Sequence, residues 1–147
     1  MMVAPTVIET LIGLTLIESD AAAKRLGNAV RTSQESQEKN ALLENFRQEY
    51  IEKLQTTLAT GLSMQQHKNF QEFIRGLDRA IAQQSHICLI DQGKVQEQKN
   101  LWQQSERKRL SYTTLSNRAL TLAKKLDDKR EQKNTDEFAA RKYSTHR

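Results

Sequence analysis

The side chains best suited to metal binding or nucleophilic chemistry in this 147-residue chain are three histidines and one cysteine. His67, His86 and His146 are far apart and lack the close spacing of metal ligands. Cys88 stands two residues from His86. A reactive thiolate needs an electropositive, partly open site, and helix residues two apart face different ways. Cys88 lies on an apolar stripe and reads as a small packed residue. It is the single cysteine, so no internal disulfide is available. Asp127 with Asp128, and Asp136 with Glu137, are adjacent acidic pairs whose carboxyls point around a helix rather than into a shared site. There is no phosphate-cradling loop, no GxGxxG and no HExxH. The residues predict no enzyme, no cofactor and no metal.

Binding chemistry is better represented. Arg107, Lys108 and Arg109, then Lys124 with Lys125, then Lys129 with Arg130, form basic clusters of a kind that grips phosphates. Acidic residues are interleaved throughout, and consecutive basic residues point around a helix rather than along one strip. The clusters therefore read as a solvated face. A basic coiled-coil arm binding RNA or DNA stays open as an alternative, with a steep salt dependence as its signature.

The elements that would carry these residues follow from composition. Hydrophobic residues make up 37% and aromatics 5%, mean hydropathy is −0.75, and there is one proline. Strand-like alternation with turn signals is absent. Glutamine, lysine, glutamate, leucine, alanine and arginine dominate, which favours long helices or coiled coil. Apolar residues recur at helical spacing through most of the chain, which argues against disorder. VIETLIGLTLI near the start lacks a basic leader, and Glu9 and Glu18 interrupt or bound it, so no signal peptide is predicted. No run approaches the roughly 20 apolar residues of a membrane span. A reducing cytoplasm is the expected compartment.

Helix start and stop signals divide the chain once. Thr6 and Glu9 form a T-x-x-E pattern after Pro5, which predicts a capping box and a first helix over about 7–60. Ile8, Leu11, Ile12, Ala22 and Leu26 recur helically. The polar TSQESQEKN (32–40) weakens the apolar seam without breaking the helix, and Leu42, Leu43, Phe46, Tyr50, Ile51, Leu54 and Leu58 follow. Gly61 can take the left-handed conformation that ends a helix. Ser63 and Gln66 form an S-x-x-Q capping box for the next one. A stop and a start this close describe an αα-hairpin tip at about 61–63. The second helix is expected over about 64–140, with Gly76 and Gly93 as candidate bends and a fraying end in ARKYSTHR. At 1.5 Å per residue the helices would be roughly 80 and roughly 110 Å long.

The expected fold class is therefore all-α, two long helices forming an antiparallel coiled-coil hairpin in a single domain, 1–147. Residues 1–66 carry six basic and eight acidic side chains, net −2, and residues 67–147 carry seventeen and ten, net +7. Opposite charge suits helices lying side by side. Folding back at residue 62 sets Leu54 opposite Phe70, Leu43 opposite Ile81, Leu26 opposite Gln98 and Ile8 opposite Ser116. The second helix then overhangs the first, and the overhang still carries Leu122, Leu126 and Phe138.

Near the tip the apolar residues exceed one seam. In KNFQEFIRGLDRAIAQQ (68–84), Phe70, Ile74, Leu77 and Ile81 make one stripe and Phe73, Leu77 and Ala80 an adjacent one. The seam is assigned to Ile51, Leu54, Leu58, Phe70, Ile74, Ile81 and Cys88. Leu43, Phe46, Tyr50, Phe73, Leu77 and Ala80 are placed beside it, as an aromatic-bearing patch suited to recognition. A wider seam, with Phe and Tyr lying flat over it, is the competing arrangement.

These stretches carry a resemblance. NFQEFIRGLDRAIAQQ after the tip, LLENFRQEYIEKL before it and TDEFAAR near the C-terminus, with ETL and DAAAKRLG in the first helix, resemble the FliJ family of bacterial flagellar type III export proteins in motif order, loop position and length. The resemblance spans nearly the whole chain. It implies a coiled coil similar to the central stalk of rotary ATPases, cytoplasmic and only peripheral to the inner membrane through its partners. Those partners would be the hexameric export ATPase, the cytoplasmic domain of the export gate and export chaperones, with no nucleic acid. On the family pattern the gate would meet Leu43, Phe46, Tyr50, Phe73, Leu77 and Ala80. The overhang with Leu122, Leu126 and Phe138, together with the start of the first helix, would enter the ATPase ring. Lys39 and Gln84 stand where glutamine and histidine are expected, so no role passes to them. Phe46 replaces a more usual tyrosine, and VAPTVIETLIGLTLI is more apolar than the pattern. The equivalent stalk of a virulence injectisome remains the alternative within this class.

Overall fold

The computed structural model describes residues 5–145. Two helices account for nearly all of them: α1, Pro5–Thr60, and α2, Met64–Thr145. They pack antiparallel as an all-α hairpin, with no strand among the described residues. The last turn of α2 is helical to Thr145 rather than frayed from 140, and neither Gly76 nor Gly93 interrupts it. His146 lies outside the described residues.

The tip is built by local chemistry. Gly61 has φ +99°, in the region that a Cβ disfavours, and its amide donates back to the Leu58 carbonyl at 3.3 Å. Two residues on, the capping box forms in both directions. The Gln66 amide donates to Ser63 Oγ, and the Ser63 amide donates to Gln66 Oε1, each at 3.2 Å. The first bond of α2 follows, from the His67 amide to the Ser63 carbonyl at 3.0 Å.

The other capping expectation is overturned. α1 starts at Pro5, so Thr6 is inside the first turn, and its carbonyl accepts from Thr10 Oγ1 at 2.9 Å. Proline suits a first helical position, where the missing N–H would be unpaired anyway. The T-x-x-E pattern is thus helix interior, not cap.

The chain divides into two compact units, one of Ala21–Trp102 and one of Met1–Asp20 with Gln103–Arg147. In the first, at least partly buried positions step four and three apart. On α1 they are Ser33, Ser36, Asn40, Leu43, Arg47, Tyr50 and Leu54; on α2 they are Phe70, Ile74, Leu77, Ile81, Gln84, Cys88 and Asp91. In the second unit Ile8, Ile12, Thr15 and Ser19 face Ser105, Arg109, Tyr112, Ser116 and Ala119 in the same rhythm. A seven-residue repeat of this kind keeps one stripe facing the partner helix. Arg47 pairs with Asp78 at 2.5 Å, and the Ser19 hydroxyl donates to Glu106, which fixes the fold-back register inside each unit.

Two glycines respond oppositely to substitution. At Gly27, within α1, a Cβ would meet nothing within 4 Å. Gly27→Ala is expected to stabilise by about 1 kcal/mol through helix propensity alone. Gly61→Ala, forced into the left-handed region, is expected to destabilise by ~1 kcal/mol or more. Urea midpoints of the two variants against the parent check both signs.

Candidate partner-binding surfaces

Four rings meet near the tip, two from each helix. Tyr50 of α1 stacks at 4.3 Å from Phe73 and 5.1 Å from Phe70 of α2, and Phe46 approaches Phe73 edge-on at 6.2 Å. Heptad position separates their roles. Tyr50 and Phe70 lie on the seam and are half-buried. Phe46 and Phe73 each precede a seam residue, Arg47 and Ile74. In an antiparallel pair such flanking positions of the two helices share one side. Both rings are therefore supported from beneath and open outward, Phe46 47% and Phe73 43% exposed. Arg47 and Asp78, with side chains 36% and 50% exposed, form an ion pair within this unit. Such an exposed pair contributes under about 1 kcal/mol.

The assignment of residues to the seam needs correction at several places. Leu77 is 8% exposed and belongs to the seam, not beside it. Leu43 and Tyr50 also fall on the seam and are half-buried, and Ala80 is half-buried. Leu58, assigned to the seam, is exposed. The reason is the repeat: counting four and three from Tyr50 passes through Leu54 and Thr57, leaving Leu58 on the flank. Of the six residues placed beside the seam, Phe46 and Phe73 thus stay exposed, with Leu42 exposed nearby on α1.

Distal to the tip, every residue of α2 from 120 to 145 is exposed. Leu122, Leu126, Phe138 and Tyr143 all stand on this stretch. On α1 of the same unit Val7, Leu14, Leu16 and Ile17 are exposed as well, so apolar residues there occupy several helix faces. A helix apolar all round is normally covered.

The same unit holds one polar triad. Glu106 accepts from Arg109 Nε at 3.3 Å and Nη2 at 2.8 Å, and from the Ser19 hydroxyl. These bonds, Arg109's first, hold the Glu106 carboxyl below its ordinary value and push the Arg109 guanidinium up. A carboxyl depressed by folding adds stability above its unfolded pKa, and that stability is lost as pH falls through the folded value. Glu106→Gln is therefore expected to lower the melting temperature at pH 7. The deficit should shrink as pH falls through the folded value, where the parent carboxylate takes up its proton too. Thermal melts across an acid pH series test this.

Among the described residues no catalytic constellation assembles. Cys88 is buried and unpaired with another cysteine, His86 is exposed and His67 half-buried. Among the described residues no three of His, Cys, Asp and Glu gather to hold a metal, and no helix is long and apolar enough to cross a membrane. A groove lined by Thr114, Asn117, Arg118, Thr121, Leu122 and Lys125 lies along α2 alone, without walls that could exclude water. What sequence reading missed is the set of polar seam residues, Ser33, Ser36, Asp91 and the Ser19–Glu106 contact. Their signal was the seven-residue step itself, which runs through polar and apolar positions alike.

Seam, tip and flanking patches together define a coiled-coil hairpin protein. Its relatives are specific. The family described as "Flagellar FliJ protein" matches residues 7–147. The Flagellar FliJ protein of Salmonella typhi is 32% identical over 136 residues, and that of Escherichia coli (strain K12) 30% identical over 134 residues, each alignment covering 91% of both chains. The chain belongs to the flagellar FliJ family.

Proposed function

We propose that this protein is a non-enzymatic component of flagellar type III protein export that works by docking. One surface, the exposed Phe46 and Phe73 with Leu43, Tyr50 and Ala80 about them, meets the cytoplasmic domain of the export gate. Leu77 acts from the seam, holding α2 so that Phe73 faces outward. The other surface, the bare end of α2 with Leu122, Leu126 and Phe138, joins the hexameric export ATPase. Escort of export chaperones and a cytoplasmic, membrane-peripheral location at the flagellar base complete the reading.

Family membership over residues 7–147 supports the flagellar setting. The observation that carries the docking role is the pair of rings, half-exposed yet supported by Tyr50, which itself packs against Phe70. Rigid, partly covered aromatics are the usual anchors of interfaces. The test is a pull-down of the full chain with the cognate ATPase and, separately, with the cytoplasmic domain of the gate. Retention of both is expected, and retention of neither would overturn the proposal.

A further inference from the structure

Between the aromatic seam near the tip and the seam around Ala22 and Leu26, the helices of unit Ala21–Trp102 meet through polar groups. Ser33, Ser36 and Asp91 are buried there. The Ser36 hydroxyl donates to the Asp91 carboxyl, and Gln84 Nε2 donates to the Ser36 carbonyl at 2.9 Å. Asn40 Oδ1 and Gln98 Oε1 are buried and no protein donor reaches them. Apolar contributions in this stretch of seam shrink to small side chains such as Cys88 and Val95, while four apolar seam residues, Phe70, Ile74, Leu77 and Ile81, follow one another toward the tip. Gly93 lowers helix propensity within the same stretch of α2.

The balance of opening differs between the two stretches. Parting the tip seam exposes aromatic and aliphatic area to water, which costs free energy in proportion to that area. Parting the polar stretch exposes little apolar area and lets orphaned amide oxygens bond water, which relieves the burial of unmatched polar groups. Local openings are drawn from segments with few buried apolar contacts.

We propose that residues 33–40 of α1 and 84–98 of α2 form an opening segment. The seam there parts while both helices stay helical and the tip seam stays closed. It is a conformational device: the part of this unit carrying Phe46 and Phe73 reorients about the opened stretch without unfolding. It goes beyond the docking role and stands whether or not that role holds.

Cys88, buried inside the segment, is a native reporter. The full chain is exposed to the thiol reagent DTNB across a urea series below the unfolding transition. Labelling is expected to be nearly insensitive to urea, and at least about a hundredfold faster than global unfolding allows. Labelling that follows global unfolding at every urea concentration would overturn the proposal. In Ser36→Leu/Asp91→Leu, which supplies leucine to two seam positions where it packs well, labelling is expected to slow about tenfold. An unchanged rate in a helical variant would mean that the thiol is reached without opening, and would also overturn it. If that variant does not fold, the urea dependence of the parent chain decides alone.

Discussion

Replacing Phe46 and Phe73 together by alanine is expected to weaken binding to the cytoplasmic domain of the export gate about a hundredfold or more, with helicity retained. Interface aromatics at a supported centre are worth about 2 kcal/mol or more each on truncation, and a tenfold change in affinity corresponds to ~1.4 kcal/mol. Both rings are half-exposed, so their loss leaves the seam itself in place. What the hairpin forfeits is their contact with Tyr50 and with each other, of order 1 kcal/mol per aromatic pair. Leu77→Ala is the contrasting variant. Its side chain is buried in the seam, where removal of such a group costs about 2–5 kcal/mol. It should lower the melting temperature first and weaken gate binding only as the tip loosens. Titration calorimetry beside circular dichroism separates the two. Wild-type affinity in the double phenylalanine variant would show that this patch is not the gate's docking site.

Ending the chain after Leu120 is expected to abolish association with the export ATPase and leave gate binding intact. The cut removes Leu122, Leu126 and Phe138. Every described residue it takes away, 121 to 145, is exposed, and the seam positions Tyr112, Ser116 and Ala119 are retained. Exposed stretches away from caps and packed residues alter stability little, so the melting temperature should hold. The two proposed surfaces lie in different compact units, and sites with no shared partners behave additively. Equal loss of both partners in a truncated chain that still melts normally would refute separate surfaces.

Much of the fold could be read in the residues because its signals are local. Gly61, Ser63 and Gln66 act on backbone groups within a few residues of themselves, so their bonds follow from chain connectivity alone. The register follows from the tip, since equal counting along two helices leaves little freedom. The same locality misled at Thr6, where a T-x-x-E pattern is as compatible with a first turn as with a cap, and the proline before it decided for the turn. No such local rule could separate two adjacent stripes. Phe70, Ile74, Leu77 and Ile81 differ from Phe73, Leu77 and Ala80 by a small rotation of the helix, and Leu77 belongs to both.

Sequence by itself determined that the chain is helical, turns once near residue 62 and carries more apolar surface near the tip than a narrow seam covers. Tertiary structure alone decided which side chains occupy the seam: Leu77 and Tyr50 within it, Leu58 outside, Ser36 and Asp91 buried as a bonded pair. The physical reason is that helix periodicity fixes which residues share a stripe, whereas the rotation of each helix about its axis is set by packing along the entire contact with its partner, polar and apolar positions together.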